Sequence, residues 1–230
     1  MTTSKKSFCF IPAKAASTRL KKKNILPLAG KEMIYYAINN AQTSHLFAPN
    51  DIIVSSETKE IQAVAQKYGA NVPYDRAEHL AHDPYGIVDV LLDFLERFPN
   101  YKNYDSCCIL LITAPLTIAD DLKKSYQLYN ENDFNAVMSV TPTEHSALRS
   151  VYVNENNIEA IHPKYLKKKS QELPTTYRLN GAVTWINIAA FLKERTYFMM
   201  PWGGYKMPNE RSIDIDNLMD YKYAQFLMEN

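Results

Sequence analysis

Residues 7–24 read SFCFIPAKAASTRLKKKN, and the fold turns on how that stretch is understood. Its opening, SFCFI, is a short apolar run of the kind that forms a strand covered on both faces. After Pro12 the character changes. Lys14, Arg19, Lys21, Lys22 and Lys23 follow with no acid among them, and the first carboxylate of the chain is Glu32. A buried strand that runs straight into a cationic loop suits an anion held at the carboxyl end of a parallel sheet. The small residues Ala13, Ala15, Ala16, Ser17 and Thr18 allow close backbone approach, and Lys14, Arg19 and Lys23 supply charge. There is no glycine in the loop and no GxxxxGK[ST], so it is not a Walker loop. On charge alone a solvated basic loop explains it equally well; its place directly after the first strand favours a phosphate site.

Outward from this stretch, strand-like and helix-like segments alternate. Helical spacing predicts helices over 31–43, 57–68 (ended by Gly69), 86–98, 118–130 and 217–228. Apolar runs predict strands at 51–55, 106–112 and 136–140, with a short edge strand at 70–73. Such alternation implies an α/β fold, a mostly parallel sheet flanked by helices. Beyond residue 141 the pattern turns to extended pieces between polar loops, RSVYVNENNIEAIHP and YRLNGAVTWI. Residues 141–187 therefore read as a β-rich insertion that covers the site or forms a dimer contact, within a single domain spanning 1–230.

Composition narrows the classes. The chain has 230 residues, 46% hydrophobic and 22% charged, enough for a sizeable core. A net charge of +1 argues against a general nucleic-acid coat or a polybasic membrane anchor. MTTSKKSFCFIP does not read as a signal peptide, and no window approaches a membrane span. Cys9, Cys107 and Cys108 lie in apolar runs and read as reduced core residues of a cytoplasmic protein.

Four further motifs bear on chemistry. In RSIDID, Asp214 and Asp216 are two apart, so in an extended segment they point the same way. Such a pair is costly without a cation between them, and it suits Mg²⁺, which keeps few protein carboxylates and binds phosphate oxygens. Alternatively Asp216 is merely the N-cap of the last helix. LLITAPL ends a strand at Thr113, placing a hydroxyl and a rigid turn at the sheet edge. In YRLNGAVTWI, Asn180-Gly181 reads as a type I′ hairpin turn, and Arg178 can bind a carboxylate or stand in solvent. His79 and His82 lack a third metal ligand and read as loop residues.

Taken in order, six segments resemble the acylneuraminate cytidylyltransferase family. IPAKAASTRLKKKNI is similar to that family's IPARxxSKxxxxKNI, and IIVSSETKEIQAVAQKYGA to its IIVSTDxxEIxxxAxxYGA. DRAEHLAHD resembles RPxELAxD, LLITAPL stands in the place of LQPTSPL, SQELPTTYRLNGAVTWIN resembles RQxLPxxYRxNGAIYIN, and RSIDIDNLMDYKYAQ resembles SxDIDTxxDxxxAE. The resemblance implies a Rossmann-like nucleotide-diphospho-sugar transferase fold. It implies a reaction in which the anomeric hydroxyl of a nine-carbon sugar acid attacks the α-phosphorus of CTP, with Mg²⁺, releasing pyrophosphate. On this basis Lys14 and Lys23 hold the triphosphate in the loop containing Ala13, Ala15, Ser17, Arg19 and Asn24. Asp214 and Asp216 hold the metal. Arg76 lies along the nucleotide, while Leu111, Thr113, Arg178 and Asn180 face the sugar. A homodimer through the late insertion is also implied.

Three departures stand out. Lys14 replaces the family's Arg, losing a bidentate fork but keeping the charge. ASTRL resembles the opening loop of the sister KDO cytidylyltransferases. Leu111 stands where the family has Gln, which favours a deoxy, methyl-bearing acid of the pseudaminic or legionaminic type. The alternatives are a KDO cytidylyltransferase or a catalytically weak nucleotide-binding domain.

Overall fold

In the computed structural model residues 6–17 and 19–229 are described; Thr18, Asn230 and the segment 1–5 lie outside them. The chain opens with β1 (Ser7–Pro12), then a tight hairpin of β2 (Pro27–Leu28) and β3 (Lys31–Glu32), α1 (Ile34–Ser44), β4 (Ile52–Ser55) and α2 (Lys59–Lys67). It continues through α3 (Ile87–Arg97), β5 (Ser106–Leu110), α4 (Ala119–Glu131) and β6 (Ala136–Pro142). A small hairpin, β7 (Val151–Asn154) and β8 (Asn157–Ala160), precedes β9 (Tyr177–Asn187), α5 (Ile188–Glu194), β10 (Trp202–Lys206) and α6 (Leu218–Glu229).

The main sheet has the order β10-β6-β9-β5-β1-β4. β1 pairs in parallel with β4 and β5, and β10 in parallel with β6; β9 runs antiparallel to both β5 and β6. Five strands therefore end at one edge. From β1 the chain crosses to β4 on one side and later to β5 on the other. The loop leaving β1 thus sits at the switch in strand order, where α/β sheets open a crevice.

Alternation along β1 builds both faces of the core. Cys9 and Ile11 pack with α1, α2 and α4 through Ile38, Ile61 and Leu122, whereas Phe8 and Phe10 pack with α3 and α5 through Phe94 and Phe191. Burial on both faces explains why β1 and β5 read as continuous apolar runs. The three cysteines are free and buried, split between the two faces, and burial pushes all three thiols up. No helix among the described residues is long and apolar enough to cross a membrane.

Several local expectations change on contact with the structure. Residues 31–32 belong to the β2–β3 hairpin, whose turn holds Gly30 at φ 81°, so α1 begins only at Ile34. α2 begins only at Lys59, because Thr58 is extended at φ −112° and ψ 137°. Residues 70–73 make an isolated parallel bridge, Ile53 with Asn71, in place of a strand. Asn180-Gly181 is not a hairpin turn. It lies inside β9 where the pairing with β6 slips between Met138 and Val140, and Gly181 takes up the irregularity at φ 69°. β9 is thus an interior strand, and the part of 141–187 outside the main sheet lies between β6 and β9.

Candidate active site

The loop after β1 folds back on itself. Asn24, buried, donates from Nδ2 to the Lys14 carbonyl at 2.8 Å and closes the loop's end on its start. Lys22 takes the left-handed conformation at φ 53°, and the short turn Lys23–Ile25 follows. The backbone N–H groups of Ala13, Ala15 and Ser17 are engaged within the protein, with Ser55 O at 2.9 Å, Glu57 Oε1 at 2.6 Å and Ala15 O at 2.7 Å. These three amides are therefore not free for a ligand, and the loop's cationic side chains are what it offers an anion. Lys14, Arg19 and Lys23 all line a cavity of about 330 Å³, joined by Ser17 and Asn24 and by Thr113 from the exit of β5.

Arg76 lines the same cavity although it is only 4% exposed. Its guanidinium pairs with Glu57, which also accepts the Ala15 N–H. Glu57 therefore ties the basic loop to the far wall. Nothing in ETKE distinguishes it from Glu60 in the sequence, and sequence reasoning missed it. Arg76 Nε has no hydrogen-bond partner among the described residues.

The acidic segment arrives from the other direction, after β10. Arg211 anchors it to the buried Asp121 of α4 at 2.7 Å, and Ser212 Oγ accepts from Asn180 Nδ2 at 2.8 Å. Ile215 is fully buried and donates its N–H to Thr113 O at 2.8 Å, so the residues flanking it, Asp214 and Asp216, project away from the core. The last helix is capped by others. Asn217 Oδ1 accepts the N–H groups of Met219 and Asp220, and Asp220 Oδ2 accepts those of Asp216 and Asn217. The carboxylate of Asp216 is thereby left for cations. Lys23 Nζ reaches it at 3.0 Å while also donating to Ile215 O at 2.8 Å, and Arg19 approaches it at 3.0 Å.

The two carboxyls differ. Burial pushes Asp216 up, but the hydrogen bond and charge of Lys23, with Arg19, outweigh it and hold the group below the usual carboxylate range. Asp214 reaches solvent through a second cavity. The protein mass around it pushes its carboxyl up, the Asp216 charge adds to that, and a hydrogen bond with Thr113 opposes it. Among the described residues no cation pairs with Asp214. Two neighbouring carboxylates, one of them without a paired cation among the described residues, match the donor type and charge that a hard divalent cation takes. No cluster of three or more metal-ligating side chains occurs among the described residues.

The second cavity, of about 250 Å³, shares Ile87 and Leu111 with the first. Asn180 and Asp214 line it. Arg178 lines neither cavity; it is exposed and donates from Nη2 to Ser212 O at 3.2 Å. Tyr197 and Phe198, from the segment after α5, were not legible as site residues, since nothing local marks an aromatic pair as cavity lining.

A family model for cytidylyltransferases matches residues 8–200. The chain belongs to the cytidylyltransferase family. It is a nucleotidyltransferase, and the cations that line the cavity at the β1 switch point, Lys14, Arg19, Lys23 and Arg76, lie within the matched region. A pseudaminic acid cytidylyltransferase of Campylobacter jejuni is 34% identical over 224 residues, 96% of each chain. A CMP-N,N′-diacetyllegionaminic acid synthase of Legionella pneumophila is 30% identical over 223 residues, 95% of this chain and 94% of that one. The solved structure of CMP:2-keto-3-deoxy-manno-octonic acid synthetase complexed with CTP superposes with a TM-score of 0.74 over 97% of this chain and 98% of the other. At 14% identity that likeness speaks for the fold alone.

Proposed function

We propose that this cytidylyltransferase couples CTP to the anomeric hydroxyl of a nonulosonic acid of the pseudaminic, legionaminic or sialic type, giving a CMP-sugar and pyrophosphate. The observation that carries the reading is the meeting of opposite charges at the junction of two cavities: Lys23 and Arg19 of the first reach Asp216, while Asp214 faces the second. Nucleotidyl transfer needs anionic phosphates neutralised beside an acceptor held in line.

In this reading Lys14, Arg19 and Lys23 hold the triphosphate and stabilise the departing pyrophosphate. Arg76, fixed by Glu57, borders the nucleotide. Asp214 and Asp216 would hold Mg²⁺, which supplies charge neutralisation at the phosphates when bound. The acceptor acid enters the second cavity, past Leu111. The relatives named above support an acid of this class, and the reduced, buried cysteines support a cytoplasmic setting.

The reading extends to a homodimer. The β7–β8 hairpin exposes Tyr152, Val153 and Ile158, with Ile158 72% accessible, an apolar face suited to a second copy of the chain.

The test is pyrophosphate release from CTP and Mg²⁺ with a panel of sialic, legionaminic, pseudaminic and KDO acids. Release with a nonulosonic acid and little with KDO is expected. No release with any acid, together with no CTP-dependent thermal stabilisation, contradicts it.

A further inference from the structure

Asp214 and Asp216 lie in residues 212–217, a stretch with neither helix nor strand to hold it. Two ties set its course, one on each side of Asp214. Arg211 donates from Nη2 to Asp121 Oδ1 at 2.7 Å, and Ile215 donates its N–H to Thr113 O at 2.8 Å. The second tie ends on the turn that leaves β5. The first ends on the opening turn of α4, only eight residues further along the same connection.

Asp121 closes the circuit between them. Its Oδ2 accepts the Ile118 N–H at 3.0 Å, where the turn from Thr113 becomes α4. Within that turn Thr117 donates its N–H to Ala114 O at 3.2 Å. One carboxylate therefore holds both the segment bearing the acidic pair and the turn on which that segment is pinned. From β10, Tyr205 donates its hydroxyl to Asp121 Oδ1 at 2.9 Å. Asp121 is 1% exposed, and neither it nor Arg211 lines either of the two cavities. A charge buried so deeply is stabilised only by a cation and donors arranged around it. Here those groups come from the turn, from β10 and from the acidic segment.

We propose that Asp121, acting through Arg211, is a positioning residue for the divalent cation: the clamp holds Asp214 and Asp216 where they can share one ion. This rests on the cytidylyl-transfer reading above. Carboxylates that bind a metal take their orientation from contacts behind them. For this pair the backbone supplies that contact, and Asp121 fixes the backbone.

The experiment measures Mn²⁺ binding to the CTP-saturated protein by water-proton relaxation, which separates ion held by protein from ion on free nucleotide. The Mg²⁺ concentration giving half-maximal pyrophosphate release is read beside it. Asp121→Asn and Arg211→Met are each expected to weaken Mn²⁺ binding about 10-fold, the scale of a contact behind a metal ligand, and to raise the Mg²⁺ requirement alike. Charge alone predicts the opposite for Arg211→Met, since removing a cation would tighten the hold on another. Arg211→Lys keeps a cation opposite Asp121 and is expected to restore most of the affinity. Asp120→Asn removes the same charge one residue earlier, from an exposed side chain paired with Lys124, and is expected to leave binding unchanged. The Arg211 side chain is 34% exposed, so Arg211→Met carries the test should Asp121→Asn fail to fold. Unchanged or tighter Mn²⁺ binding in Arg211→Met, even with a lowered melting temperature, makes the clamp a structural tie alone. That overturns the positioning role and leaves cytidylyl transfer standing. A parent protein that holds no Mn²⁺ with CTP and releases no pyrophosphate overturns the transfer reading and the positioning role with it.

Discussion

The two cavities meet at Ile87 and Leu111, yet they are built in opposite ways. The first takes three of its four lining cations, Lys14, Arg19 and Lys23, from ten consecutive positions, 14–23, and only Arg76 from elsewhere. The second gathers one or a few residues each from α3, β5, β6, β9, the segment after α5 and the acidic segment before α6. One is a charged pocket anchored by one loop, the other an apolar pocket assembled by the sheet. The difference teaches that charge is a local property of sequence, whereas an apolar wall is a property of tertiary packing.

Removing the joint between the cavities should have the largest effect. Lys23→Ala loses the contacts to Asp216 and Ile215 and is expected to lower kcat by about 10²–10³, the scale of a single electrostatic stabiliser. Pyrophosphate release measures it, with circular dichroism showing a folded protein. Near-parental turnover would separate Lys23 from the phosphates.

The wall of the first cavity can be broken without touching its lysines. Glu57→Ala leaves Arg76 as a buried charge without its partner and takes the acceptor from the Ala15 N–H. Truncating one member of a buried pair costs about 3–5 kcal/mol, so urea unfolding should show a loss of that order. A change under about 1 kcal/mol would mean that the pair is far better hydrated than its burial indicates.

On the other side, Gly181→Ala tests the bulge that shapes the second cavity. A Cβ at φ 69° meets Leu111 Cδ1 at 3.3 Å, and the left-handed backbone costs a non-glycine residue about 1–2 kcal/mol. A small loss of stability is expected, with KM for the acid rising more than KM for CTP. An equal rise in both would show that the bulge serves the whole site.

The smallest effect lies away from both cavities and serves as a control. The Tyr68 hydroxyl, then a backbone hydrogen bond and the Lys67 ammonium, hold the Glu32 carboxyl down at about 2. A depressed carboxyl stabilises the fold above its unfolded value of 4.5, and that contribution is lost as pH falls from about 4.5 towards 2. Glu32→Gln should flatten the dependence of unfolding free energy on pH in that window and leave turnover unchanged. An unaltered slope would remove Glu32 from the acid limb.

What the sequence made legible follows the same division. β1, β4, β5 and β6 were readable because strands buried on both faces are apolar throughout, and the basic loop because its cations are neighbours. The pairing of Asp214 with Asp216 was readable from period-two geometry. That Asp216 is free of the helix cap was not, because it depends on Asn217 and Asp220 taking over that task. Asn180-Gly181 has the local signature of a hairpin turn, and only its neighbours in the sheet make it an interior bulge. Glu57 and Phe198 carry no local mark: one acts through Arg76, nineteen residues on, and the other through a cavity closed by distant strands.

The account's central claim is that the two cavities hold different substrates and meet at the acidic pair. Its most direct test is the KM for each substrate in Lys14→Ala and Phe198→Ser. The account predicts a raised KM for CTP in Lys14→Ala with the acid little affected, and an altered acid dependence in Phe198→Ser with CTP little affected. Both variants shifting the same substrate would contradict it.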